Sequence, residues 1–141
     1  MERRKFLKLS CSMCVAAAGA GILLPSLSGC SPIPVIKASV SDNTLTVPLT
    51  SFKDGKLAIV RSMKLDSDIL LVKKSDSEVN ALLMKCTHQD NPLTATATGL
   101  NCPTHGSSFD LDGNVTHDPA TRPLKKYTTE VTATAVIIHL A

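Results

Sequence analysis

Residues 86–109 read Cys-Thr-His-Gln-Asp-Asn-Pro-Leu-Thr-Ala-Thr-Ala-Thr-Gly-Leu-Asn-Cys-Pro-Thr-His-Gly-Ser-Ser-Phe. They hold two thiol–imidazole pairs, Cys86 with His88 and Cys102 with His105, and thirteen residues separate His88 from Cys102. Two sulfur and two nitrogen donors on a pair of loops form a ligand set for a metal centre, and soft thiolates narrow its chemistry. A mixed-ligand iron–sulfur centre needs this set. A Cys₂His₂ zinc site uses the same atoms, although one residue between Cys86 and His88 departs from the usual finger spacing. A plain Cys86–Cys102 disulfide in an oxidising compartment is a third reading.

Outward from these pairs, the chain after residue 35 shows no convincing helix. Short β-branched runs recur between turn signals: Thr44–Leu49, Leu57–Arg61, Ile69–Lys73, Val79–Lys85, Ser108–Leu111, Tyr127–Val131 and Ala135–Leu140. Asp54-Gly55 and Asp112-Gly113 are hairpin-turn candidates in which glycine supplies a positive φ. A strand about every ten residues predicts an antiparallel sandwich or barrel. The first pair then falls at a strand end and the second in the loop before Ser108–Leu111, and loops on a rigid sheet suit a metal site.

The bulk numbers agree with one small domain. The chain has 141 residues, 3% aromatic content and no Trp, so its core rests on Val, Leu, Ile and Ala. So small a core gains from an embedded metal centre. The formal charge of +3 comes from the start of the chain, where Arg3, Arg4, Lys5 and Lys8 outnumber Glu2. Residues 30–141 carry eleven basic and eleven acidic side chains, which gives no electrostatic case for nucleic acid or an acidic partner.

Residues 2–8, Glu-Arg-Arg-Lys-Phe-Leu-Lys, resemble a twin-arginine export motif. A small-residue-rich apolar stretch follows, shorter than a spanning helix. It ends in Leu27-Ser28-Gly29-Cys30, which resembles a bacterial lipobox, so residues 1–29 are expected as a signal peptide and Cys30 as the lipidated residue. An uncleaved membrane anchor is the alternative. Cys11 and Cys14 fall inside this leader and are read as part of it. Residues 30–38 are expected as a linker, stiffened by Pro32 and Pro34. Ser31 is not the Asp that resembles an inner-membrane retention signal. The expected product is an exported lipoprotein held at a membrane by its lipid and facing the periplasm or cell exterior.

The residues after the second pair extend the pattern. Cys102-Pro-Thr-His105-Gly106-Ser107-x-Phe109 resembles the second cluster-binding box of Rieske 2Fe–2S proteins, and Cys86-Thr-His88 the first. Asp118-Pro119-Ala120-Thr-Arg-Pro123-Leu124-x-x-Tyr127 resembles the proline-rich loop that covers their cluster. The resemblance implies an all-β Rieske-type antiparallel sandwich or barrel over residues 39–141, with a cluster-binding subdomain formed by two loops. It implies one 2Fe–2S cluster, with Cys86 and Cys102 on one iron and His88 and His105 on the other. It also implies that Gly106 lets the backbone turn close to the metal, and that Ser107 donates a hydrogen bond to a cluster sulfur. Two ferric ions, two sulfides, two thiolates and two neutral imidazoles sum to zero charge, so reduction is easier than for an all-cysteine cluster. In this family the added electron resides mainly on the histidine-bound iron, which links electron and proton uptake.

Departures from the family pattern carry information. Quinol-oxidising members have cysteines where this chain has Asn91 and Thr104, so no disulfide staples the loops, although these two side chains are placed to share a hydrogen bond. Phe109 replaces a Tyr whose hydroxyl serves a cluster ligand, and Asp118 replaces the first Gly of the covering loop. These changes predict a potential below that of the disulfide-bearing members. His117 is expected as a solvated turn residue, and His139 as a solvent-facing residue at a sheet edge. Lys125 and Lys126 are read as wet surface, with steering of an acidic redox partner as the alternative. The functional expectation is one-electron transfer between unidentified redox-protein donor and acceptor, as a carrier or small subunit. Iron–sulfur subunits of a quinol–cytochrome c reductase or of a molybdenum oxidase such as arsenite oxidase are alternatives. A dioxygenase ferredoxin is disfavoured by the leader, and a zinc-stabilised adhesion module is the reading from another class.

Overall fold

A computed structural model describes residues 32–141, and the expectations for the leader, Cys30 and Ser31 lie outside them. The larger sheet has seven strands: β1 (Val35–Lys37), β2 (Thr44–Pro48), β3 (Leu57–Arg61), β4 (Ile69–Lys73), β5 (Val79–Leu83), β10 (Lys126–Val131) and β11 (Ala135–His139). Their order is β1-β3-β4-β5-β10-β11-β2, and the sheet is nearly closed. The smaller sheet holds β6 (Thr94–Ala95), β7 (Gly99–Asn101), β8 (Ser108–Asp110) and β9 (Val115–His117), in sequence order. Among the described residues no helix is long and apolar enough to cross a membrane.

β4 and β5 explain how the two sheets share one molecule. On β4, Ile69 and Leu71 point into one apolar cluster with Leu45, Val47, Val60, Ala81, Val136 and Ile138, inside the large sheet. Leu70 and Val72 point the other way, into a second cluster with Leu82, Met84, Leu93, Leu100, Phe109 and Leu124. Side chains alternate across a strand, so a continuous apolar run means that both faces are covered. Ile69-Leu-Leu-Val72 and Ala81-Leu82 are such runs, and the small sheet is what covers their outer face.

Sheet register places the Cys86 loop at one end of the large sheet. β5 runs toward Cys86, and β10 starts at the same end, with Lys126 opposite Leu82. β1 is parallel to β3, with Lys37 opposite Arg61, so it too runs toward the loop end. Pro34 already joins this pairing, through its carbonyl to the Ile59 N–H at 2.8 Å. Residues 35–37 of the expected linker are therefore strand, and one pair of the sheet is parallel.

Two local expectations are corrected. Asp54-Gly55 is not a hairpin, because β2 pairs with β11 and β3 pairs with β1 and β4. The chain leaves β2 through a 3₁₀ turn, Leu49–Phe52, and Lys53, at φ 51°, makes the left-handed step instead of glycine. Asp112-Gly113 does form the β8–β9 hairpin, with Gly113 at φ 79°. His139 is not on an edge: β11 lies between β10 and β2, and His139 is half-buried opposite Thr44 and Thr128.

Candidate metal centre

The two ligand loops are built alike. In the first, the Cys86 N–H bonds to the Asn91 carbonyl and the Asp90 N–H to the Cys86 carbonyl, both at 2.8 Å. In the second, the Cys102 N–H bonds to the Ser107 carbonyl at 2.8 Å and the Gly106 N–H to the Cys102 carbonyl at 2.9 Å. Each is a six-residue loop opened by cysteine, and in each the fifth residue is left-handed: Asp90 at φ 56°, Gly106 at φ 86°. Nothing lies within 4 Å of where a Cβ on Gly106 would stand. Its requirement is therefore the backbone angle and not space.

The donors sort by burial. Cys86 and Cys102 are free thiols, 0% and 2% exposed, inside the second apolar cluster. His88 and His105 are exposed, and their rings meet edge to face with centroids 5.0 Å apart. Burial pushes the Cys102 thiol up, but the backbone N–H groups of His105 and Thr104, the Cys86 thiol and the Thr104 hydroxyl outweigh it. The net effect holds Cys102 below the usual thiol range, as a metal-binding thiolate requires. Among the described residues no group of three or more His, Cys, Asp or Glu side chains is placed to hold a single metal ion. The donors stand instead as a buried thiol pair and an exposed imidazole pair. Two sulfur and two nitrogen donors make up the ligand set of a mixed-ligand two-iron centre.

The covering segment, residues 118–124, is tied to both loops. Ser107 is fully buried, and its Oγ accepts the Ala120 N–H at 3.0 Å. A hydroxyl that accepts one bond keeps its own proton free to donate. Thr87, between Cys86 and His88, donates its hydroxyl to the Arg122 carbonyl at 2.6 Å, and Arg122 Nη2 donates to the Thr87 carbonyl at 3.1 Å. Sequence reading passed over Thr87 and Arg122, because polar residues between recognisable positions carry no motif signal. Leu124, the last residue of the segment, is buried, and its N–H bonds to the Gly113 carbonyl at 2.8 Å.

Among the described residues the Asn91 and Thr104 side chains share no hydrogen bond; the Asn91 backbone carbonyl accepts the Cys86 N–H. Phe109 is buried with both cysteines. His117 is exposed, and Lys125 stacks its ammonium 4.6 Å from the centre of the Tyr127 ring.

The fold resembles known structures. Against the plasma membrane Rieske protein of the cyanobacterium Synechocystis, the TM-score is 0.55 at 23% identity, covering 65% of this chain and 94% of that one. Against the ferredoxin of carbazole 1,9a-dioxygenase from Nocardioides aromaticivorans it is 0.52 at 22%, covering 70% and 99%. In sequence, the chain is 34% identical over 79 residues to the chloroplastic cytochrome b6-f complex iron-sulfur subunit of Bigelowiella natans, across 53% of this chain and 31% of that protein. It is 26% identical over 132 residues to cytochrome b6-f complex iron-sulfur subunit 2 of Synechocystis sp., across 85% and 73%. It thus spans about a third of the first relative's length. The Rieske [2Fe-2S] domain model matches residues 45–128, a span that contains both Cys/His pairs, so the chain belongs to the Rieske family, whose cofactor is a Rieske-type 2Fe–2S cluster.

Proposed function

We propose that this protein is an exported one-electron carrier or small redox subunit, tethered to a membrane by a lipid on Cys30. In this reading residues 1–29 are a signal peptide, Cys86 and Cys102 bind one iron, and His88 and His105 bind the other. The observation that carries the reading is the split of donors, buried thiols against exposed imidazoles. The bound cluster supplies one-electron chemistry, in a family range of roughly −150 to +300 mV. The buried cysteine side keeps water away, and the exposed His88 and His105 edges give a partner protein a short approach. In this reading Ser107 donates its hydroxyl proton to a cluster sulfur, which the Ala120 N–H leaves free because it uses only an acceptor position of the oxygen.

The test has two arms. Dithionite-reduced holoprotein should give the electron paramagnetic resonance signal of a mixed-ligand 2Fe–2S centre, and Cys86→Ser and His105→Ala should abolish it. A retained signal in either variant would remove that residue from the ligand set. In the second arm, Cys30→Ala should move the protein from the membrane to the soluble fraction with its spectrum unchanged. Persistent membrane binding would remove the lipid tether.

One observation supports a second reading, an iron–sulfur subunit of a quinol-oxidising complex: both curated relatives are subunits of the cytochrome b6-f complex. Asn91 and Thr104, where such members carry cysteines, favour the carrier. Copurification with a membrane cytochrome would reverse that preference.

A further inference from the structure

The two ligand loops have no backbone hydrogen bond to one another among the described residues. Their cysteines are buried in one apolar cluster, and their imidazoles meet edge to face. Each loop is bonded instead to the covering segment. Loop 102–107 reaches it through Ser107 and Ala120, in the interior. Loop 86–91 reaches it through the Thr87–Arg122 pair, at the surface. We propose that residues 118–124 act as the brace that joins the two ligand loops, and that Thr87 and Arg122 are its clasp and are positioning residues for His88.

Three features support this. The clasp is reciprocal, each residue giving a side-chain donor to the other's carbonyl, so it fixes position and orientation together. Arg122 is flanked by Pro123 and lies between two buried anchors, Ala120 and Leu124, so its backbone has little freedom to follow a moving loop. Thr87 sits between Cys86 and His88, so its carbonyl cannot shift without turning a neighbouring ligand position. A surface loop with few ties to the rest of the fold opens at lower cost than a core strand. Gln89 and Asp90 are exposed, the Lys85–Asp90 pair at 3.4 Å stays within residues 85–90, and among the described residues the clasp supplies the side-chain hydrogen bonds from this loop to a distant segment.

The inference rests on the ligand assignment proposed above, and the test separates the two. Holoprotein variants Thr87→Val, Thr87→Ser, Arg122→Ala and Arg122→Lys are mixed with an iron chelator, and loss of visible circular dichroism is followed. Amide exchange is read at residues 86–91, with residues 69–72 and 136–138 as controls. Thr87→Val and Arg122→Ala should each bleach about fivefold faster than the parent, with faster exchange confined to 86–91. Thr87→Ser, which keeps the hydroxyl, should restore the parent rate, and Arg122→Lys should restore it in part. The double variant should fall short of the product of the single effects, because both bonds clamp one pair of residues. Parent-like bleaching in Thr87→Val and Arg122→Ala would overturn the clasp, and so would exchange that rises equally at the controls. Failure of the ligand assignment is seen separately, as a cluster retained in Cys86→Ser.

Discussion

The left-handed residue in each ligand loop is Asp90 in one and Gly106 in the other, and their chemistry differs more than their geometry. A left-handed φ costs an ordinary L-residue about 1–2 kcal/mol, less for Asp and nothing for Gly. Asp90→Gly should therefore leave the temperature at which the cluster bleaches nearly unchanged, while Asp90→Val and Gly106→Val should lower it. Equal bleaching temperatures for all three would mean that the loops re-form with other angles. The sequence showed Gly106 as a turn residue, but Asp90 was silent, since an Asp in a loop has many reasons to be there. Phe109 bears on potential at this scale. It is packed with Cys86 and Cys102, and Phe109→Tyr adds a hydroxyl donor in that cluster. A donor that favours the reduced state by about 1 kcal/mol raises the midpoint by about 40 mV. Redox titration of the variant should show a rise of that order, and an unchanged or lowered midpoint would count against the missing-donor argument.

The small sheet that backs the second loop depends on close backbone contact. A Cβ on Gly99 would overlap the Phe109 carbonyl oxygen across the β7–β8 pair. Gly99→Ala should push these strands apart and destabilise the holoprotein by about 1–3 kcal/mol, read as a lower urea midpoint; an unchanged midpoint would show that the pair yields freely. The next hairpin has an electrostatic hold. Burial raises the Asp110 carboxyl, but the Asn114 side chain and backbone, the Asp112 N–H and Lys74 outweigh it and keep it below the usual carboxylate range. A depressed folded value stabilises the fold above the unfolded value, near about pH 4, and that contribution disappears as pH falls through the folded one. Asp110→Asn should thus be less stable than the parent near neutral pH, with the gap shrinking in acid; a gap independent of pH would remove this account. Elements of this lobe were the hardest to see in sequence. β6, β7 and β9 have two or three residues each, too short for alternation to register, whereas β3 and β4 were legible to the residue. In sequence Leu49 reads as the last residue of the Thr44–Leu49 strand, but it opens the 3₁₀ turn Leu49–Phe52.

At the scale of the molecule, the candidate Cys/His pairs stand out because they are local in sequence, and the Thr87–Arg122 contact does not because those residues meet only in the fold. The direction of β1 was equally hidden: Val35-Ile-Lys37 is too short to announce a strand, and its parallel partner follows more than twenty residues later. β1 runs toward the loop end of the sheet, so Pro34, just before it, lies on the side away from Cys86. The proposed carrier role requires that a lipid on Cys30 leave the exposed His88 and His105 edges open to a soluble acceptor. Oxidation of reduced protein by a water-soluble one-electron acceptor should proceed at the same second-order rate, within about a factor of two, for vesicle-bound protein and for soluble Cys30→Ala. A bound form slower by more than about tenfold would mean that the membrane covers the imidazole edge. That result would favour a partner buried in the bilayer over a carrier that meets its partners in solution.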